Sequence, residues 1–335
     1  MLSTKSLKRA GFDLYMVLLI GVVVLATLLP ARGAGAELVA GISYGAVALL
    51  FFLYGAKLNT AAILAGMANW RLQLLVFAST YAAFPLLGML FAFALAPWLK
   101  PEIAIGLLYL SALPSTVQSS IAFTSIARGN VPAAVCAASI SNLAGVFLTP
   151  ALAAVLLHTS GGGVDPGAIV KIGVQILLPF LAGQLARPLL GKAIAAHPRL
   201  TQIVDRGSIL LIVYSAFSAG VVAGIWSQVD GGTLALMIGA DIALLALVML
   251  GTRAAGRLAG LNREDRVALF FCGSKKSLAS GLPMANILFA GQVVSLIVLP
   301  LMIFHQIQLF VCAVIAQRAA HRLADAPAPP VPAKA

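Results

Sequence analysis

Ten stretches of predominantly apolar residues, each near the length needed to cross a bilayer, run through the 335 residues at 12–30, 38–55, 72–97, 103–127, 132–157, 167–186, 206–226, 232–253, 267–289 and 292–316. A spanning helix needs roughly 20 such residues. In hydrocarbon only helices and closed barrels satisfy their own backbone, so segments of this length read as helices and the chain as an all-α integral membrane protein. Composition agrees: 61% of residues are hydrophobic, 10% are charged and the mean hydropathy is +1.02, outside the range of soluble domains.

Lys5, Lys8 and Arg9 precede the first apolar run. With no small-x-small cleavage site at a suitable distance and nine spans to follow, that run reads as a retained anchor. Residues 321–335 read as a tail, Pro- and Ala-rich from Ala326 and unable to bury a core. The net charge of +12 is scattered over short loops and is not gathered into a nucleic-acid-binding face. Topology explains it: with the N-terminus inside, Lys57, Arg71, Arg128, Arg187, Lys192, Arg253, Arg257 and Arg263 fall on the cytoplasmic side, and only Arg32, Lys100 and Lys171 outside. Both termini are then cytoplasmic, as in a multi-pass protein of a bacterial inner membrane. Cys136, Cys272 and Cys312 all fall within spans, where thiols act as small apolar side chains, and no disulfide framework is implied.

The Gly-rich stretch SGGGVDPG near residues 160–166 divides the spans into two sets of five, residues 1–160 and 161–320. Five is odd, so the two repeats are inverted, an arrangement common in transporters. Leu148-Thr149-Pro150 in span five matches Val298-Leu299-Pro300 in span ten. Spans four and nine are both interrupted at bilayer depth, the first by Pro114-Ser115-Thr116-Val117-Gln118-Ser119-Ser120 and the second by Gly273-Ser274-Lys275-Lys276-Ser277. A breaker there frees backbone groups that need partners.

The candidate site follows from these interruptions: Gln118, Ser119 and Ser120 in span four, Ser139 and Asn142 in span five, Asp241 in span eight, and Ser274, Lys275, Lys276 and Ser277 in span nine. Each intramembrane lysine costs at least ~2.5–3.5 kcal/mol on insertion scales. The bland alternative is that the pair lies in a loop. Asp241 is the acidic residue set deep in a span and the expected partner of one lysine. The other then calls for an anionic solute or for a role in carrying protons. Ser111, Ser115 and Thr124 are candidates for bonding their own backbone, and Pro85, Pro179 and Pro300 for kinks. His305, Gln306 and Gln308 either line a pathway or are satisfied locally. No phosphate-binding loop, metal-ligand spacing or nucleophile–base set is present in the sequence, so neither an enzyme nor an ATP-driven pump is expected.

Three segments carry a family likeness: FFLYGAKLNTAAI after span two, ALPSTVQSSIAFTSIARGNVPAAVCAASISNLAGVFLTPAL across spans four and five, and FCGSKKSLASGLPMANILF in span nine. They resemble the SBF-like branch of the bile acid:sodium symporter superfamily over nearly the whole chain. The resemblance implies ten helices in two inverted repeats, with spans one, two, six and seven forming a panel and spans three to five and eight to ten a core. Spans four and nine would be broken and crossing, and a solute would move by alternating access. Gln118, Ser119, Ser120 and the segment Cys272 to Ser277 then match the crossing.

The chain departs from the sodium-coupled members. Where those carry an acidic residue and amides in the span-nine crossing, it has Phe271-Cys272 followed by Lys275-Lys276, and Ala134 and Ala138 stand where hydroxyl ligands are expected. Either a lysine replaces the cation, or Na+ binds near Ser119, Ser120, Asn142 and Asp241. The expected function is secondary transport of a small organic anion coupled to Na+ or H+, with no other cofactor. The competing reading is a non-transporting regulator of membrane ion homeostasis.

Overall fold

The computed structural model describes residues 14–57, 69–159, 173–222, 224, 229–289 and 294–324. The basic N-terminal residues, the Gly-rich stretch and the Pro/Ala-rich tail lie outside the described residues. Every regular element among them is helical: α1 Leu14–Leu28, α2 Ala34–Lys57, α3 Trp70–Leu95, α4 Pro101–Ala112, α5 Gln118–Ile126, α6 Val131–Thr159, α7 Leu178–Ala196, α8 Pro198–Val222, α9 Gly231–Leu258, α10 Arg263–Gly273, α11 Leu278–Leu288 and α12 Val294–Ala324. Seven of these, α2, α3, α6, α7 with its preceding turn, α8, α9 and α12, are long and apolar enough to cross a membrane; α1 and α4 contain shorter apolar helices. The fourth apolar stretch is divided between α4 and α5, and the ninth between α10 and α11.

Local chemistry sets these boundaries. Pro101 opens α4 at a position where its missing N–H costs nothing. Asp230 caps α9 by accepting from the Thr233 N–H, Asn262 caps α10 through Asp265, and Ser277 caps α11 through Ser280. Two prolines sit just beyond π-turns: Ser79–Ala83 precedes Phe84-Pro85 inside α3, and Gly173–Leu177 precedes Leu178-Pro179 at the start of α7. A residue without an N–H leaves one carbonyl of the preceding turns without its helical donor.

The helices pack in two groups. In one, α7 lies along α2, and α8 packs on α1 and α2. Gly55 and Gly183 bring α2 and α7 into backbone contact: a Cβ at Gly183 would stand 2.0 Å from the Phe52 carbonyl oxygen, and one at Gly55 2.0 Å from that of Phe180. In the other, α4 packs on α12 and α3, α9 on α10 and α12, and α5 on α6 and α10. The groups meet where α8 packs on α11 and α12. At one end of the second group the Asp265 carboxylate accepts from Asn69 Nδ2 at 2.8 Å and Asn130 Nδ2 at 2.7 Å, tying together the starts of α3, α6 and α10. Large apolar side chains such as Phe93, Leu185 and Leu189 point outward, as expected where the solvent is lipid.

Candidate functional site

The two breaks lie against each other. α4 stops at Ala112 because Pro114 pushes Leu113 into an extended conformation, with ψ 155°, and helix resumes only at Gln118. α10 stops at Gly273, and Lys275 to Ser277 run without helix to the start of α11. Each break exposes carbonyls that water cannot reach, and each is satisfied largely by the other. From the α10 end, the Cys272 carbonyl accepts from Ser115 Oγ, that of Phe271 from Ser120 Oγ, and that of Gly273 from Ser79 Oγ. The Ser277 N–H donates to the Pro114 carbonyl at 2.9 Å. Thr149 Oγ1 donates to the Ala112 carbonyl, and Asn142 Nδ2 to those of Ser115 and Ala138.

Lys276 occupies the centre of this arrangement and is fully buried. Its Nζ donates to the carbonyl oxygens of Thr80 at 2.8 Å, Ser111 at 2.7 Å and Leu113 at 2.6 Å. An ammonium has three donors, and all three are used. Two acceptors come from the end of α4. The third is a consequence of Pro85: the Phe84 N–H bonds to the Ser79 carbonyl five residues back, and in that register Thr80 would need a donor from position 85, which proline lacks. The Phe84 ring lies 4.2 Å from the ammonium, centroid to Nζ. The backbone of Lys276 is held equally firmly, since its N–H donates to Gln308 Oε1 and its carbonyl accepts from Gln308 Nε2, both at 2.8 Å. Gln308 Nε2 also lies 2.9 Å from His305 Nδ1.

Lys275 points elsewhere. Its Nζ is 3.4 Å from Ser119 Oγ and stands over the rings of Phe123 at 4.5 Å and Phe271 at 5.6 Å. Ser119 is half-buried and shares a hydrogen bond with Thr116, while Gln118 is exposed. Among the described residues, then, Lys275 is a buried cation with one long hydrogen bond, set beside a side chain that reaches the surface.

The expected pairing of Asp241 with a lysine does not form. Asp241 is buried on α9 with neither carboxylate oxygen hydrogen-bonded, while backbone carbonyls take the place of a carboxylate around Lys276. Both lysines lie in the break between α10 and α11, buried within the bundle, which disposes of the loop alternative. Of the other candidates, Ser120, Asn142, Ser274 and Ser277 join the hydrogen-bonded breaks, Ser274 through the Phe270 carbonyl and Ser277 through Ser280, which in turn donates to Asn142. Ser139 is half-buried on α6. Ser111 bonds its own helix at Leu108, whereas Ser115 bonds across to α10.

Two broken helices whose ends satisfy one another around an intramembrane lysine fit a transporter, and comparison with known proteins decides the class. A profile of the SBF-like CPA transporter family matches residues 13–321. The chain belongs to that family. It is 52% identical over 317 residues to an uncharacterized Pseudomonas aeruginosa protein, covering 94% of this chain and 95% of that one. It is 48% identical over 306 residues to YfeH of Escherichia coli, named as a candidate symporter, covering 91% and 92%. It is 28% identical over 320 residues to sodium/bile acid cotransporter 7 of mouse, covering 92% and 93%. This SBF-like family member is a multi-pass membrane transporter, and the likeness read from its three signature segments holds.

Proposed function

We propose that this SBF-like transporter carries a small organic anion by alternating access and that Lys276 serves as a built-in cation in place of Na+. The observation that carries this reading is the cage of three carbonyl oxygens filled by the Lys276 ammonium. A hard cation takes oxygen ligands of this kind; here the chain supplies the charge itself, so Na+ has no role at that position. Coupling then falls to H+ or to the gradient of the anion. Lys275, the less satisfied cation beside Ser119, is the group that meets the anion.

The packing supports the mechanical part of the proposal. In this reading α1, α2, α7 and α8 form the panel, and α3 to α6 with α9 to α12 form the core, in two inverted five-span halves. Motion occurs where α8 meets α11 and α12. In this reading both termini lie in the cytoplasm of a bacterium and the chain in its inner membrane, and the positive-inside bias supports it.

Uptake into proteoliposomes tests the reading, with labelled taurocholate, sulfate and a four-carbon dicarboxylate offered in Na+ or in K+ medium. At least one anion enters saturably in both media, and Lys275→Gln lowers that uptake by roughly tenfold, equivalent to ~1.4 kcal/mol. Strict dependence on Na+, or indifference to Lys275→Gln, overturns it. The competing regulator predicts no uptake of any anion by well-folded protein.

A further inference from the structure

A cavity of about 730 Å³ lies away from the broken helices, between the end of α2, the end of α7 and the start of α8. Lys57, Arg187 and Lys192 line it together with Gln184 and Thr201, and none of the described lining residues is acidic. On α7 the lining positions 184, 187, 188 and 191 recur at helical spacing and form one stripe. The neighbouring stripe of the same helix is apolar and outward-facing: Leu181, Leu185 and Leu189 are exposed, the last two at 80% and 84%, and on α8 so are Leu200 and Ile203. A basic hollow bordered by apolar side chains that face lipid has the chemistry of an amphiphile site. Such a hollow suits a phosphate, and exposed leucines beside it suit acyl chains.

We infer that this cavity binds the phosphodiester headgroup of an anionic phospholipid, on the group of helices that contains neither break. Lys57, Arg187 and Lys192 surround the phosphate, and Leu185, Leu189, Leu200 and Ile203 receive the chains. A site here holds the ends of α2 and α7 against the start of α8. It lies at the end of the bundle that the positive-inside rule assigns to the cytoplasmic leaflet. It is separate from the proposed anion path beside Lys275 and does not depend on it.

The test uses delipidated full-length protein in detergent, with binding read by native mass spectrometry and by apparent melting temperature. Three probes are compared: phosphatidylglycerol, phosphatidylcholine of the same chain length, and glycerol phosphate. Phosphatidylglycerol is expected to bind at least ~10-fold more tightly than phosphatidylcholine. The combined change Lys57→Gln, Arg187→Gln and Lys192→Gln removes that preference, and Arg253→Gln with Arg257→Gln on α9 leaves it intact. Lys192 is exposed, so Lys192→Glu alone keeps the fold and still weakens phosphatidylglycerol binding should the triple variant fail to assemble. Retention of the preference in both variants overturns the proposal. So does equal binding of phosphatidylcholine, which would make the site an apolar groove. A shift given as fully by glycerol phosphate also overturns it, because the ligand would then come from water.

Discussion

At the scale of single residues, removing the Lys276 ammonium strands three buried carbonyls. Each orphaned group costs roughly 1–3 kcal/mol, offset in part because a buried charge has gone, so Lys276→Ser is expected to destabilise by about 3 kcal/mol. It should also open a vacancy lined by the Thr80, Ser111 and Leu113 oxygens. Na+, but not K+ at equal ionic strength, then raises the apparent melting temperature of the variant, while the unsubstituted protein responds to neither. A variant indifferent to Na+ would show that the cage is not a cation site. Gln308→Leu leaves the Lys276 N–H and carbonyl unpaired and is expected to cost about 2–4 kcal/mol, read from chemical denaturation in detergent. The lysines and the hydroxyl cluster could be recognised from sequence because charge and Ser/Thr density at mid-span are rare. The Asp241 pairing could not be judged that way, because pairing by charge counts side chains only. The groups that hold Lys276 are main-chain oxygens released by Pro114 and Pro85, and a carbonyl leaves no mark in a sequence. Gln308 was visible as a polar residue in a span, but its task follows from register between α12 and the break.

Among the helices, proline acts less as a bend than as a means of leaving an acceptor open. Pro85 follows a π-turn, and the carbonyl freed there is one that Lys276 takes. Reading Pro85 only as a kink misses this chemistry. Both breaks were placed correctly from the sequence, since Pro114 and the run Gly273 to Ser277 oppose helix over several consecutive residues. Close approach of α2 and α7 was not, because glycines recur throughout this chain and only contact distinguishes Gly55 and Gly183 from the rest. A Cβ at Gly183 meets backbone on the facing helix at 2.0 Å and near Ala56 N at 3.0 Å, and backbone cannot swing aside. Gly183→Val is therefore expected to separate the helices and to cost more than ~3 kcal/mol, at or beyond the upper end of overpacking penalties, with a matching fall in the yield of folded protein. Gly239→Val, where nothing lies within 4 Å, is the control and should stay within about 1 kcal/mol of wild type.

For the whole molecule, the division into two packed groups makes a mechanical prediction. A disulfide joining α8 to α12, introduced after replacing Cys136, Cys272 and Cys312, is expected to slow anion uptake at least ~10-fold. One joining α2 to α7, within a single group, leaves the rate within about twofold. Rates are compared before and after reduction in the same vesicles; equal slowing by both bridges would rule out motion at the α8 boundary. The Lys276 cage has a further consequence for energetics. A dissolved co-ion leaves its carrier when the cargo does, but an ammonium bonded to the chain stays. Lys276 is held by α3, α4 and α12, so it travels with them whether or not an anion is aboard. In the proposed cycle the anion offsets part of the positive charge of Lys275 and Lys276, so the loaded carrier is the less charged form and the empty one bears the larger charge. A membrane potential, worth ~2.3 kcal/mol per elementary charge for each 100 mV, acts mainly on the unloaded half of the cycle. In that cycle an inside-negative potential opposes the outward return of the empty carrier during uptake and speeds its inward return during export.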